Sequence, residues 1–367
     1  MQINHAARLE KLRQIAGVDA VILAPGTNME YFTGLQFHLS ERPTLAILTP
    51  DGQLSFIIPY LEVIKLQQRP DLDARLFSWT DTDGYEGAFR AAVADLGLAG
   101  KTLGMDGLTV RVTELLAFQQ AEPSVKSAAV ERQIIRILAM KAPDEIAAMR
   151  RAVEISEAAL EKMLAWVRPG LTERAIADYL MEQMRALGSE GAAFEPLIQT
   201  GPNSALPHGM LTDRALGADE FLLVDYGGRF EGYPADITRT FCLGKPTAEM
   251  QKIYDTVLAA NEAAIRTAGP GVAMGAVDKA ARDVIVAAGY GEYFTHRTGH
   301  GLGLGGHELI PQIAENVTDL LEPGMSFTIE PGIYVPGLGG VRIEDDVVVT
   351  ETGLDVLTSF PKKSLSR

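Results

Sequence analysis

Cysteine is nearly absent from this 367-residue chain, where Cys242 stands alone. A single thiol excludes any disulfide within the chain, and a reducing, cytoplasmic compartment is the natural expectation. No run of eighteen apolar residues occurs, so no membrane-spanning helix is expected. The opening MQINHAARLEKLRQIAG reads as an amphipathic helix with charges throughout and lacks the apolar core of a secretion signal. Positive charge is in deficit: 33 Lys and Arg stand against 48 Asp and Glu, and the net charge of −15 disfavours nucleic acid and anionic membranes as partners. Short repeats and low-complexity segments are missing as well. What remains is ordinary globular composition, with a mean hydropathy of +0.06 and length enough for two domains that each bury a core.

The first portion alternates short strand-like and helix-like runs. DAVILA (19–24) is an apolar strand, TLAILTPDGQLSFIIP (44–59) is a hairpin turning at Asp51 and Gly52, and YEGAFRAAVADLG (85–97) has helical spacing. TLGMD and VTELLAFQQA add a strand and a helix. Beyond residue 122 the helices lengthen. Pro143 suits the first turn of a helix running to Trp166 and ended by Pro169 and Gly170, a second helix follows Thr172, and two more cover about 248–268 and 275–288. Strand pairs lie between and after them. The pattern predicts a smaller α/β domain over 1–128, a linker helix over 129–142, and an α+β domain over 143–367 with helices on a largely antiparallel sheet.

RTGHGLGLGGHE (297–308) contains Gly301, Gly303 and Gly306 in the spacing G-x-G-x-x-G. A dinucleotide site of that kind needs an apolar strand before the glycines and an amphipathic helix after them. GEYFTHRT is polar and aromatic, and HELIPQIAEN meets Pro311 too soon for a helix. His300 and His307 therefore call for another explanation.

Acids sit where a sheet should be apolar. FLLVDYGGRFEGYPADITRTF (221–241) reads as a hairpin, and symmetry about Phe230 and Glu231 sets Asp225 opposite Asp236, with Cβ atoms about 5 Å apart. Glu330 and Glu344 are likewise symmetric about Gly337. Buried like charges at that spacing repel unless something positive lies between them. Either pair alone has a plain alternative, since a turn aspartate ordinarily bonds nearby backbone and an acid can simply face solvent. Four carboxylates and one imidazole together form an oxygen-rich ligand set suited to two adjacent divalent ions such as Mn²⁺, Co²⁺ or Zn²⁺, which is hydrolytic chemistry.

VDYG, ADITRT, TGHGLGLGGHE, IEPG and VRIED, in this order, resemble the motif series of the pita-bread metallopeptidases, the family of Xaa-Pro dipeptidase (prolidase), aminopeptidase P and, with altered sites, creatinase. The resemblance spans nearly the whole chain, including a creatinase-like N-terminal domain suggested by NMEYFTG. It implies a curved antiparallel sheet under helices, and metal ligands at Asp225, Asp236, His300, Glu330 and Glu344. Asp236 and Glu344 would bridge two divalent ions per subunit, Mn²⁺ first and Co²⁺ or Zn²⁺ as alternatives. Methionine aminopeptidases share the ligands without the N-terminal domain, and creatinases share the body without the ligands.

The same resemblance makes His208 and His307 groups that face the reacting peptide, able to stabilise an oxyanion and return a proton to the leaving nitrogen. Glu330 would also orient or deprotonate the attacking water, and Arg342 would support the ligand carboxylates. Arg297, three residues before His300, is expected in the substrate pocket with its neighbour His296, where a guanidinium can bind the free carboxylate of a dipeptide. The segment QFHLSERP carries His38 and is expected to approach the partner's site in a homodimer. The expected substrate is a small peptide with proline at its second position, most simply a dipeptide. An aminopeptidase acting on longer peptides and a non-peptidase pita-bread enzyme are the alternatives. One departure from the family's motifs is Gly305-Gly306, where a bulkier residue commonly precedes the second histidine.

Overall fold

The structure, a computed structural model, describes residues 4–362 and 366. It divides into one compact unit up to Leu138 and a second from Ala139 onward. The first contains strands β1 (Ala20–Leu23), β2 (Leu45–Leu48), β3 (Leu54–Pro59), β4 (Arg75–Trp79), β5 (Thr102–Met105) and β6 (Lys126–Ala129) in one sheet, in the order β4-β3-β2-β1-β5-β6. The inner strands β1, β2 and β3 are buried along their whole length, as their near-continuous apolar sequence requires, whereas the edge strands β4 and β6 are largely exposed. The β2–β3 hairpin turns at Asp51 and Gly52 as the sequence indicates, with Gly52 at φ +90° and Leu48 opposite Leu54. Helices Glu86–Asp95 and Val112–Ala121 pack through Phe89 and Phe118, whose ring centroids are 4.9 Å apart.

In the second unit the same order, two helices and then antiparallel strands, occurs twice. Helices Pro143–Trp166 and Glu173–Ala186 precede β7 (Leu197–Thr200), β8 (Phe221–Tyr226), the short pair β9 (Arg229–Phe230) and β10 (Tyr233–Pro234), and β11 (Ile237–Cys242). Helices Ala248–Thr267 and Met274–Ala287 precede β12 (Gly299–Gly303), β13 (Gly306–Ile313), β14 (Ser326–Ile329), β15 (Gly332–Val335), β16 (Gly339–Arg342), β17 (Asp345–Val349) and β18 (Leu354–Val356). The two principal sheets run β11-β8-β7 and β13-β12-β14-β17-β18, antiparallel throughout. Each helix pair buries its apolar face on its own sheet: Met149, Val153 and Leu180 against Val224 and Ile237 in one core, Ile253, Val257 and Ile285 against Phe327 and Val347 in the other.

Local signals explain the helix ends. Pro143 occupies the first turn of its helix, and the Thr172 and Thr247 side chains accept from Ala175 and Met250 backbone N–H groups at 3.1 and 3.2 Å. Among the described residues no helix is long and apolar enough to cross a membrane.

Candidate active site

The first acid pair departs from the expected register. Thr238 lies opposite Asp225 and Ile237 opposite Tyr226, so Asp225 does not face Asp236 directly. The cause is the turn. Phe230 pairs with Tyr233 across a two-residue loop of Glu231 and Gly232, both at positive φ (+48° and +79°), one position later than Phe230 and Glu231. The resulting offset along the partner strand is two residues, and an even shift keeps Asp236 on the face that carries Asp225 and Thr238. Thr238 fills the opposed position with a hydroxyl that donates to Glu344 Oε2 at 2.5 Å and accepts from Arg342 Nε at 3.0 Å.

The second hairpin turns about Gly337, as its symmetry suggests. Gly332 faces Arg342 on one side of the pair, and Ile329 faces Asp345 on the other, which brackets Glu330 and Glu344 between them in the same register. The Thr238 carbonyl accepts the Glu344 N–H at 3.1 Å, which stitches the two hairpins together.

His300 enters on β12, between Gly299 and Gly301. These glycines make room for neighbouring strands rather than for ions: a Cβ on Gly299 would lie 1.8 Å from the Thr328 carbonyl oxygen, and one on Gly301 2.3 Å from that of Ile310. The register slips between His300 and Gly301, after which Leu302 faces His307. His307 thereby shares a face with His300, and their rings stack with centroids 4.0 Å apart and planes 17° from parallel. The G-x-G-x-x-G spacing is thus part of a β-hairpin.

Asp236, His300 and Glu344 offer ligand atoms that all lie within 4.8 Å of one another, the spacing of a cation site. The His300 Nδ1–H donates to the Gly301 carbonyl at 3.0 Å, so Nε2 presents a lone pair, and burial pushes the imidazole pKa down to about 3. That lone pair faces Asp236 Oδ2 and Glu330 Oε1, each at 3.6 Å. Three acceptors turned on one another attract nothing by themselves but suit ligands arranged around a divalent ion with bonds of about 2.1 Å. Asp225 Oδ1 is buried without a hydrogen-bond partner. Burial pushes all four carboxyls upward, Glu330 to about 7, and Asp236 is raised further by the charges of Glu344 and Asp225. The donor set fits divalent cations.

Arg342, 3% exposed, sits behind this cluster. Its guanidinium pairs with Asp225 and donates to Thr238 Oγ1 at 3.0 Å and to the Tyr334 hydroxyl at 2.9 Å. Tyr334 passes its own proton to His296 Nε2 at 2.8 Å, while His296 Nδ1 donates to the Arg297 carbonyl at 2.7 Å. Burial and Arg342 together lower His296 to about 4, a neutral imidazole with both nitrogens engaged. The Arg297 guanidinium touches His307 Nε2, and no described carboxylate lies within ion-pair distance of it. His208 is exposed on the wall of the same cleft. His38 lies in the first unit, exposed in the segment following Gly34.

Thr238, Tyr334 and Asp346 were not singled out by the sequence. Asp346 is fully buried and accepts the Asp236 N–H at 3.0 Å through Oδ2. Thr238 lies two residues after Asp236, a spacing that shares its face, whereas Tyr334 in a strand reads only as core.

The groups converge on a cleft of about 740 Å³ that His208, Asp236, Arg297, His300, His307 and Glu344 all line. A larger opening of about 920 Å³ on the first unit, between His5, Arg13, Asp51 and Arg69, lacks such convergent buried acids.

The scaffold is the pita-bread fold, preceded by a creatinase-like N-terminal domain. The chain belongs to metallopeptidase family M24, matched over residues 147–351, and residues 6–138 match the Creatinase/Prolidase N-terminal domain. It is 34% identical over 344 residues to an uncharacterized peptidase of Staphylococcus aureus, covering 94% of this chain and 95% of that one. Dipeptidase PepE from Mycobacterium ulcerans superposes with a TM-score of 0.93 at 32% identity, over 100% of this chain and 99% of the other. An Xaa-Pro dipeptidase from Bacillus anthracis gives 0.89 at 30% identity, over 99% and 100%.

Proposed function

We propose that this metallopeptidase is a cytoplasmic, homodimeric Xaa-Pro dipeptidase. The observation that carries the dipeptide specificity is the Arg297 guanidinium, which reaches the cleft beside His307 with no carboxylate of the described residues within ion-pair distance. A dipeptide brings its own carboxylate one residue beyond the scissile bond, and a planar guanidinium is suited to bind it through two parallel hydrogen bonds. A longer peptide carries no charge at that position.

Asp225, Asp236, His300, Glu330 and Glu344 would hold two divalent ions, Mn²⁺ first, with Asp236 and Glu344 shared between them. When bound, these ions would supply the Lewis acidity that makes water nucleophilic at neutral pH. Glu330 orients the attacking water and takes its proton. His208 and His307 stand along the cleft wall, where they stabilise the negative charge developing on the carbonyl oxygen and deliver a proton to the proline nitrogen as the C–N bond breaks. Arg342 holds Asp225 in place and, through Tyr334, fixes the ring of His296. In the homodimer, residues 36–43 with His38 approach the site of the second copy.

The test compares kcat/KM for an Xaa-Pro dipeptide and an Xaa-Pro-Xaa tripeptide, with Mn²⁺ supplied, in wild type and Arg297→Ala. Loss of a charge-assisted contact should cost the dipeptide about 1.5 to 3 kcal/mol, roughly 10- to 150-fold, and the tripeptide far less. Equal losses, or a wild type that prefers the tripeptide, would reject the dipeptidase reading.

A further inference from the structure

The residue proposed to read the substrate carboxylate stands in a segment with little regular structure of its own. Residues 294–298 link the short turn Gly291–Tyr293 to β12, and two side chains on the helix Met274–Ala287 hold this link from behind. Asp278 is fully buried. Its Oδ1 accepts the Thr298 backbone N–H at 3.0 Å and the Thr298 hydroxyl at 2.8 Å. Arg282, one helical turn on, donates Nε to Asp278 Oδ2 at 2.8 Å and Nη2 to Oδ1 at 3.0 Å. The same guanidinium donates to the carbonyl oxygens of Phe294 at 3.2 Å and His296 at 3.0 Å, and its carbon lies 4.2 Å from the Phe294 ring centroid.

Arg297 lies between the two residues that are held. The carbonyl before it and the N–H after it are both fixed to this pair, and the Thr298 carbonyl accepts the Glu330 N–H at 2.8 Å, which ties the segment to the acid cluster. Its side chain, by contrast, makes a single hydrogen bond among the described residues, to His307. The backbone of Arg297 is fixed, while its guanidinium has no ion-pair partner among the described residues.

We infer that Asp278 and Arg282 form a clasp that positions Arg297 for the substrate carboxylate, and so set the preference for dipeptides over longer peptides; this rests on the dipeptidase reading above. They are positioning residues: neither reaches the cleft, and both act through the backbone of residues 294–298. A guanidinium in this place cannot be replaced by a neutral group without releasing two carbonyls and a buried carboxylate at once. The consequence should fall first on binding of the free carboxylate, because, apart from the one backbone bond between Glu330 and Thr298, the acids and imidazoles of the reacting centre are held by the strands and loops that bear them.

The test uses the full-length, Mn²⁺-loaded enzyme with Ala-Pro and Ala-Pro-Ala. Arg282→Gln should raise KM for Ala-Pro about tenfold with little change in kcat, since a small misplacement of a binding group is costly while the chemistry is untouched. KM for Ala-Pro-Ala should rise far less, and bound manganese by elemental analysis should equal that of wild type. In an Arg297→Ala background, Arg282→Gln should add no further loss on Ala-Pro, because both changes remove the same interaction. Arg282→Lys keeps the charge beside Asp278 and should fall between wild type and Arg282→Gln, and it carries the same measurements if the glutamine variant does not fold. Losses that add in the double variant, equal losses on both peptides, or a drop in manganese would overturn the clasp while leaving the dipeptidase reading intact. A wild type that cleaves no Ala-Pro would overturn that reading and the clasp with it.

Discussion

Arg239→Met isolates the contribution of the polar layer beneath the acid cluster. Arg239 is 1% exposed and donates to one carboxylate and three carbonyls: Asp345 Oδ1 at 2.8 Å, Thr238 O at 3.0 Å, Glu344 O at 2.5 Å, and Phe360 O at 3.1 and 3.3 Å. Removing one partner of a buried ion pair ordinarily costs about 3 to 5 kcal/mol. Here two features reduce the loss. Asp345 keeps Lys362 and the Asn261 amide at 3.1 Å, and Thr238 O keeps the Glu344 N–H. Methionine matches the unbranched stem and leaves no large void. The expected loss is therefore near the lower end, about 3 kcal/mol, or a fall in Tm of about 6 to 12 °C for a unit of this size. Trp79 and Trp166 are the chain's two tryptophans and lie in different units, so in a Trp79→Phe background Trp166 fluorescence during guanidinium titration follows the second unit alone. Arg150→Ala is the control. Its pair with Asp355 has both side chains more than 40% exposed and should be worth under about 1 kcal/mol. A loss below 1 kcal/mol for Arg239→Met, or a loss equal to that of the control, would refute the reasoning.

Replacing Asp236 or Glu344 by Ala should abolish activity and remove both metal ions, because each is proposed to serve two ions at once; near-normal metal content by elemental analysis would reject the bridging role. His307→Ala should keep its metal and lose about 10²- to 10⁴-fold in rate, the usual range for a lost proton-transfer group, whereas lost metal would make it a ligand. Light scattering should show a dimer, and a fully active monomer would rule out the role proposed for residues 36–43.

Much of the scaffold is legible in the sequence because its signals are local. Pro143 and the Thr172 and Thr247 caps fix helix starts within a residue or so, and the loop symmetric about Gly337 gives the register of the Glu330 and Glu344 strands. The hairpin of Asp225 and Asp236 is less so. Its turn places a glutamate at positive φ, a conformation with no strong sequence mark when the usual Asn or Asp is missing, and so the register is displaced. Gly299 and Gly301 announce a close approach without saying to what, because Thr328 and Ile310 reach them only through strand pairing. Tyr334 illustrates the remaining limit: its hydroxyl joins Arg342 to His296, residues 8 and 38 positions away, and a single aromatic in a strand gives no sign of either.

The layer around Asp345 also orders events during synthesis. Arg239 binds the Phe360 carbonyl, the Tyr254 hydroxyl donates to the Lys362 carbonyl at 3.0 Å, and the Lys362 ammonium reaches Asp345 and, at 2.7 Å, Asn261 Oδ1. Asn261 in turn holds the carbonyls of Ile329 and Ile343, the residues just before Glu330 and Glu344. A ribosome releases the first unit long before it supplies these last partners, so that unit has time to fold while the second still waits for its closing contacts. Until Phe360 and Lys362 have cleared the exit tunnel, the strands bearing Glu330 and Glu344 lack their final braces. A nascent chain should therefore gain a competent cation site only after Phe360 and Lys362 have emerged and docked on Arg239, Tyr254 and Asn261.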